Sequence, residues 1–148
     1  MRASFATPFG AVTLTESSGV ITALEWGGSF AEASDMLTEA GQQMAAYFAG
    51  RLTVFDLPLD FGTGFGERVR RAMHAIPYGE TRRYGDLARD LQASAQAIGQ
   101  ACGGNPLPIL IPCHRVLGAK GLGGFSAPGG VETKVALLRL EGAASLLI

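Results

Sequence analysis

The amino-acid sequence predicts a mixed α/β protein with two lobes. Three short segments within residues 3–26 are rich in β-branched and apolar residues, and prolines and glycines separate them as turns. From Thr63 onward the apolar residues recur at helical spacing instead. We therefore expect a small N-terminal lobe over residues 1–62, with an antiparallel sheet and a helix, and a helical C-terminal lobe over residues 63–148.

The N-terminal lobe is predicted to contain three strands followed by one helix. The strand segments are residues 4–7, 11–17 and 20–26, and the turns between them favour an antiparallel meander. The helix is predicted over residues 34–49, because Ser34 suits the N-cap and Gly50 suits the position after the last turn. Residues 52–62 are predicted to be an extended connection that could include one more strand, although Pro58 limits it.

The C-terminal lobe is predicted to contain four helices. The first is capped by Thr63 and ends at Pro77-Tyr78-Gly79, and its apolar side chains share one face. The other three are predicted over residues 84–91, 94–102 and 131–141. Residues 103–112 form an apolar run interrupted by prolines, which we interpret as a buried extended link.

The second and third helices are joined only by Gln92-Ala93, a pairing that resembles a helix-turn-helix. The third helix has unusually small side chains. Small side chains let a helix backbone approach a DNA groove closely, but they equally allow close packing on another helix. Both interpretations stay open on these residues alone.

The charge of the chain is small overall but unevenly distributed. The formal net charge is −1; residues 1–65 carry two basic and seven acidic residues, whereas residues 66–148 carry ten basic and six acidic residues. A nucleic-acid-binding face could therefore lie on the C-terminal part. A chance scatter of solvated charges would give the same pattern.

Cysteine content and hydropathy indicate the compartment. Two cysteines, Cys102 and Cys113, are too few for a disulfide framework or a cysteine-rich zinc site. No apolar run approaches the roughly 20 residues that span a membrane, and the N-terminus has no signal-peptide pattern. We expect a protein of the reducing cytoplasm with no membrane association.

The adjacent residues Cys113 and His114 are the first candidates for chemistry. A thiolate is the reactive form of cysteine, and a nearby base promotes it. Sequence neighbours on a helix do not face each other, so His114 would reach Cys113 through a water molecule and would need an orienting group, usually a carboxylate. A Cys-His dipeptide alone is also compatible with a buried structural cysteine.

A longer string favours the chemical interpretation. Residues 109–116, Ile-Leu-Ile-Pro-Cys-His-Arg-Val, with Asn105-Pro106 before them, resemble the active-site signature of the O6-alkylguanine-DNA alkyltransferases. Other similar strings are residues 76–81, 84–88 and Lys134 with 137–142, and, less specifically, 7–10 and 47–50. The resemblance extends over nearly the whole chain.

The resemblance implies a role for each matching catalytic residue. Cys113 would accept the alkyl group, and His114 would act as a water-mediated base, with Glu141 holding its far nitrogen and so favouring a thiolate. Asn105 would brace the turn before Cys113, and Arg115 would be structural. Tyr84 would lie beside the flipped base and donate a hydrogen bond as the guanine leaves.

The resemblance also implies binding surfaces. Phe125, Ser126 and Val116 would contribute to the guanine pocket, and the target base must be flipped out because its O6 atom is inaccessible inside the stack. The small third helix would enter the minor groove. The residues expected to contact DNA are Ser94, Ala95, Gln96 and Ala97 of this helix, together with Arg82 and Arg83. For the arginines, a solvated pair is the alternative.

Three residues depart from the pattern of this family. Gln96 stands where the family usually has an arginine that fills the gap left by the flipped base, and glutamine lacks its charge and planar fork. Arg70 stands where many members have tryptophan, and Gly66 replaces a common glutamine. The first departure concerns DNA binding, whereas the other two concern packing.

These observations predict a DNA-repair protein that transfers an alkyl group from O6-alkylguanine, and also from O4-alkylthymine, in double-stranded DNA to its own cysteine. It would act as a monomer, without cofactor or metal, and each molecule would react once. One alternative is a protein that binds alkylated lesions with weak or no repair activity. Another is a helix-turn-helix regulator in which Cys113 is incidental.

Overall fold

The computed structural model describes residues 1–118, 123, 125 and 127–143. It confirms the predicted class, a mixed α/β fold with a small antiparallel sheet first and helices afterwards. The chain divides into two compact units, Met1–Asp60 and Phe61–Ile148.

The sheet of the first unit is the predicted meander. Strands β1 (Arg2–Thr7), β2 (Gly10–Ser17) and β3 (Val20–Trp26) pair antiparallel in that order, with a bulge at Thr15/Glu16. The later segment that could have been a further strand forms only an isolated bridge. There Ile21 N donates to Pro58 O at 2.8 Å, and Asp60 N donates to Ile21 O at 3.0 Å.

One helix, α1 (Asp35–Phe48), completes the first unit. Ser34 caps it as predicted, because its hydroxyl accepts a hydrogen bond from Leu37 N at 3.1 Å. Gly50 follows the last turn with φ of +76°, a backbone conformation that favours glycine. The buried residues of α1 are Leu37, Ala40, Met44 and Tyr47, which recur at helical spacing.

The second unit contains the four predicted helices. They are α2 (Gly64–His74), α3 (Tyr84–Leu91), α4 (Ala95–Gly103) and α5 (Val131–Leu140). Thr63 stands at the N-cap of α2 with extended backbone, but its side chain makes no capping hydrogen bond. Two short parallel strands that the sequence did not indicate, β4 (Arg82–Arg83) and β5 (Val116–Leu117), join the start of α3 to the chain after Cys113.

The predicted extended link over residues 103–112 is wrong, because the segment folds into successive turns. Asn105 organises them: its carboxamide accepts from Leu107 N at 3.1 Å and donates to Ile111 O at 2.9 Å. Ile111 N donates to Leu107 O at 2.8 Å. Prolines lack the N–H that a strand ladder needs, so this buried segment satisfies its carbonyls through a side chain and local turns.

The two departures in α2 form one packing arrangement. Arg70 donates from Nε to Phe61 O at 2.6 Å, and its guanidinium lies against two glycines. A Cβ atom at Gly66 would lie 2.6 Å from Arg70 Nη2, and one at Gly62 would lie 2.4 Å from the same atom. The absence of a side chain at Gly66 therefore makes room for the arginine at position 70.

Candidate active site

Cys113 begins a short 3₁₀ turn, Cys113–Arg115, directly after Pro112. The residue is 9% exposed and lines a cavity of about 250 Å³. Other residues that line this cavity are Tyr84, Gly99, Cys102, Asn105 and Phe125. The turn therefore presents the thiol to a partly open cavity that is also lined by residues of α3 and α4.

His114 and Arg115, the next two residues, share one buried carboxylate. His114 Nε2 lies 2.8 Å from Glu141 Oε2, and both side chains are fully buried. Arg115 donates to Glu141 from Nε at 2.8 Å and from Nη2 at 3.0 Å, and from Nη1 to Ile76 O at 2.7 Å. Glu141 thus fixes the imidazole and balances the charge of a buried arginine with the same carboxylate.

The other imidazole nitrogen, His114 Nδ1, is buried and has no hydrogen-bond partner among the described residues. With the Nε2 proton donated to Glu141, a neutral His114 carries its lone pair on Nδ1. That atom can accept a proton, directly or through a water molecule.

The protonation states at rest differ from the thiolate pair that the resemblance implied. Burial raises the pKa of the Cys113 thiol; a hydrogen bond from the Asn105 side chain and the charge of Lys134 oppose this rise without overcoming it. Burial also lowers the pKa of His114, against the opposing influence of Glu141. The resting pair is therefore a thiol and a neutral imidazole, because both charged forms lose hydration in this site.

Lys134 is a site residue that sequence reasoning used only as part of a matching string. Its side chain is fully buried in α5 and donates from Nζ to Val116 O at 2.7 Å. Burial lowers the pKa of Lys134 to about 8, although Cys113 and Cys102 act in the opposite direction. The signal in the sequence that could have indicated this residue is its position as the single lysine of the helix Val131–Leu140.

Of the residues expected around the substrate base, Tyr84 and Phe125 line the cavity, whereas Val116 is buried. Tyr84 starts α3 and lines the cavity, and burial raises the pKa of its hydroxyl. Phe125 also lines it, with its ring 6.5 Å from the ring of His114 in an edge-to-face arrangement. Val116 is fully buried, and its carbonyl accepts from Lys134. Ser126 lies outside the described residues.

The residues expected at the DNA surface lie on α4 and just before α3. Ser94 is exposed but uses its hydroxyl to cap α4, accepting from Ala97 N at 3.1 Å. Ala95 and Gln96 are exposed and Ala97 is half-buried. Arg83 is exposed.

The other arginine of this pair, Arg82, is held by acidic residues of α3. Its guanidinium lies 2.7 Å from Asp90 and 3.9 Å from Asp86. A contact between Arg82 and a phosphate would compete with these ion pairs.

The second cysteine, Cys102, is buried and donates to Met73 Sδ at 3.4 Å. Burial raises the pKa of Cys102 to about 12, which keeps it protonated at neutral pH. In the described parts of the chain, no cluster of three or more His, Cys, Asp or Glu side chains could bind a metal ion. No described helix has the length and apolar character needed to cross a membrane.

Comparison with known proteins identifies the family of this chain. Residues 64–143 match the family described as 6-O-methylguanine DNA methyltransferase, DNA binding domain, and residues 1–61 match the ribonuclease-like domain of the same enzymes. The chain belongs to the 6-O-methylguanine DNA methyltransferase family, which confirms the resemblance found in the sequence.

Individual relatives bear the corresponding names. A methylated-DNA–protein-cysteine methyltransferase of Mycobacterium leprae is 42% identical over 93% of this chain and 90% of its own length. One of Mycolicibacterium paratuberculosis is 52% identical over 69% of this chain, an alignment that spans 63% of that relative. The crystal structure of Mycobacterium tuberculosis OGT in complex with DNA is similar, with a TM-score of 0.81, 41% identity and coverage of 97% of this chain and 93% of that one.

Proposed function

We propose that this protein repairs double-stranded DNA by transferring an alkyl group from O6-alkylguanine, and from O4-alkylthymine, to Sγ of Cys113. The observation that carries the proposal is the position of Cys113, which lines a cavity and is followed directly by the buried His114–Glu141 pair. The protein acts once per molecule, as a monomer, without cofactor. Its two free cysteines fit the proposed location in the cytoplasm.

The proposed reaction is a nucleophilic displacement in which electrons and protons balance. The thiol proton of Cys113 passes through a water molecule to Nδ1 of His114, and Glu141 stabilises the imidazolium that forms. Sγ then attacks the alkyl carbon, the bond from that carbon to O6 breaks, and a thioether remains. Tyr84 donates a hydrogen bond to the leaving guanine, and the proton that His114 received from Cys113 passes through water to the guanine, which leaves as the neutral base. No oxidant or reductant takes part.

The remaining site residues position the partners in this proposal. Asn105 holds the turn before Cys113 and donates to its sulfur, and Arg115 fixes Glu141. Phe125, which lines the cavity, covers one side of the flipped base. Extrusion into the cavity costs a few kcal/mol of unstacking and unpairing.

The DNA surface in this proposal is α4, which approaches the minor groove through Ser94, Ala95, Gln96 and Ala97. The exposed Arg83 is proposed to contact a phosphate. Arg82 is proposed to do so only where the phosphate displaces Asp90 from its guanidinium.

The test is the mass of the protein after incubation with a duplex containing O6-methylguanine. We expect one added methyl group, located on the peptide that contains Cys113. Cys113→Ser should gain no mass, and the matched variant Cys102→Ser should react like the wild type. Modification of Cys102, or turnover beyond one equivalent, would contradict the proposal.

The second candidate function is binding of alkylated lesions without repair, and Gln96 in place of the usual arginine is the observation that favours it. It predicts tight binding of the methylated duplex with no change in protein mass. The same incubation therefore separates the two functions.

A further inference from the structure

One face of α4 combines the cavity with an exposed amide edge. Gly99, Cys102 and Gly103 line the cavity, and a Cβ atom at either glycine would meet no atom within 4 Å. Gln96 and Gln100 are both exposed and lie one helical turn apart, beside these glycines on the helix surface. A nucleotide entering the cavity past α4 would therefore bring its neighbours in the strand towards Gln96 and Gln100.

This edge is uncharged, and two of the three arginines at and near α3 are held in ion pairs, while the third, Arg83, is exposed. Helix α4 contains no Asp, Glu, Lys or Arg. Beside it, Arg82 contacts Asp90 at 2.7 Å, and Arg89 contacts Asp86 at 3.0 Å. A duplex lying on α4 consequently meets carboxamides along the helix itself, and Arg83, which is proposed to contact a phosphate, lies before α3 and not on this edge.

We propose that Gln96 and Gln100 form an uncharged DNA-contacting edge that holds the groove next to the flipped nucleotide by amide hydrogen bonds, so that duplex binding depends only weakly on salt. A carboxamide offers both donors and an acceptor. The minor groove presents acceptors at every base pair and a donor at guanine, so an amide can bind it at any sequence. The inference rests on the proposed function and adds to it a binding residue, Gln100, and a mode of binding.

The first experiment measures the salt dependence of affinity for a duplex containing O6-methylguanine, using Cys113→Ser so that no transfer occurs. Each neutralised phosphate contributes about 0.9 to the slope of log affinity against log salt. We expect a slope of magnitude about 3 or less, and Gln100→Arg should steepen it by about 1. A slope of about 6 or more would overturn the proposal, because cations would then carry the binding.

The second experiment compares reaction rates with the duplex and with free O6-benzylguanine, which needs the cavity but no groove contact. Loss of one amide hydrogen bond corresponds to about a threefold to tenfold effect. Gln100→Ala should therefore lower the ratio of duplex rate to free-base rate by about that factor. The control is Gln42→Ala, which removes an exposed glutamine from a helix of the first unit and should leave the ratio unchanged.

The outcomes separate this inference from the proposed function. If Gln100→Ala leaves the ratio unchanged while Cys113 still gains its methyl group, the amide edge is wrong and the repair function stands. If Cys113 gains neither a methyl group from the duplex nor a benzyl group from free O6-benzylguanine, the proposed function itself fails, and the inference fails with it.

Discussion

Replacing Glu141 by glutamine tests whether one carboxylate serves both reactivity and stability. The side chain accepts from His114 Nε2 at 2.8 Å and from Arg115 Nε and Nη2 at 2.8 and 3.0 Å, and it is fully buried. Glutamine keeps the shape but turns one oxygen into an NH₂ donor. In either orientation that donor faces a donor of Arg115, and the buried guanidinium loses its counter-charge.

The magnitude follows from this geometry. Breaking a buried ion pair by removing one partner costs about 3–5 kcal/mol. Glutamine retains one acceptor, so we expect Glu141→Gln to lower the free energy of unfolding by about 3 kcal/mol. A domain with about 5–15 kcal/mol of stability can tolerate this loss. General-base catalysis contributes about 10²–10⁴-fold, and a poorly oriented His114 should lose about 100-fold in the rate of alkyl transfer.

The assay combines urea unfolding with the rate of reaction with O6-benzylguanine, followed by protein mass at several pH values. Because burial raises the pKa of Cys113, increasing pH forms the thiolate without help from His114. The rate deficit of Glu141→Gln should therefore shrink as pH rises. Glu80→Gln, which alters an exposed carboxylate, is the control and should change neither quantity. A variant that is destabilised yet reacts at the wild-type rate would refute the catalytic part of the reasoning.

Three further predictions concern packing and protonation. Gly66→Ala should stabilise an Arg70→Ala background by up to about 1 kcal/mol through helix propensity. In the wild type the same substitution should not raise the free energy of unfolding, because the alanine Cβ would lie 2.6 Å from the Arg70 guanidinium. Additive effects of the two substitutions in a urea double-mutant cycle would refute the coupling between positions 66 and 70. Burial lowers the pKa of His114 below its usual 6.5, so its contribution to stability is complete above pH 6.5 and is lost as pH falls, by at most about 1.4 kcal/mol per pH unit. His114→Gln should flatten this part of the stability profile more than His74→Gln does, and equal profiles would refute it. Lys134→Gln should slow alkylation at pH 7, because it removes a cation near the Cys113 thiol. The difference in rate from the wild type should narrow above about pH 8, where the wild-type lysine loses its charge. A rate difference that does not change with pH would indicate a purely structural role.

Local patterns in the sequence were sufficient for the main elements of the fold. The cap at Ser34 and the change from strand to helix patterns are properties of adjacent residues, and the structure confirms them. The parallel pair of β4 and β5 joins residues 34 positions apart with two residues on each side, too few to leave a periodic signal. The turns organised by Asn105 were missed because a buried proline-rich run can be extended or folded, and only its hydrogen bonds decide which.

For the candidate site, the sequence indicated the residues but not their electrostatics. The motif around Cys113 indicated the chemistry, and the roles of its residues stay predictions until they are measured. The direction of the pKa shifts could not be read from neighbours such as His114, because burial outweighs the nearby charges and burial depends on the whole unit. The shared use of Glu141 by Arg115 was likewise not visible, since nothing in the spacing shows that one carboxylate contacts both side chains.

The buried ionic cluster joins three distant parts of the chain, and this has a consequence for biosynthesis. Arg115 contacts the carbonyl of Ile76, which precedes it by 39 residues, and the carboxylate of Glu141, which follows it by 26. The ribosome must therefore have synthesised the chain through Glu141 before the imidazole of His114 can be oriented. Until then Cys113 is an ordinary cysteine of an unfolded chain. The surroundings that set the protonation states of Cys113 and His114 therefore exist only once this unit has been synthesised through Glu141.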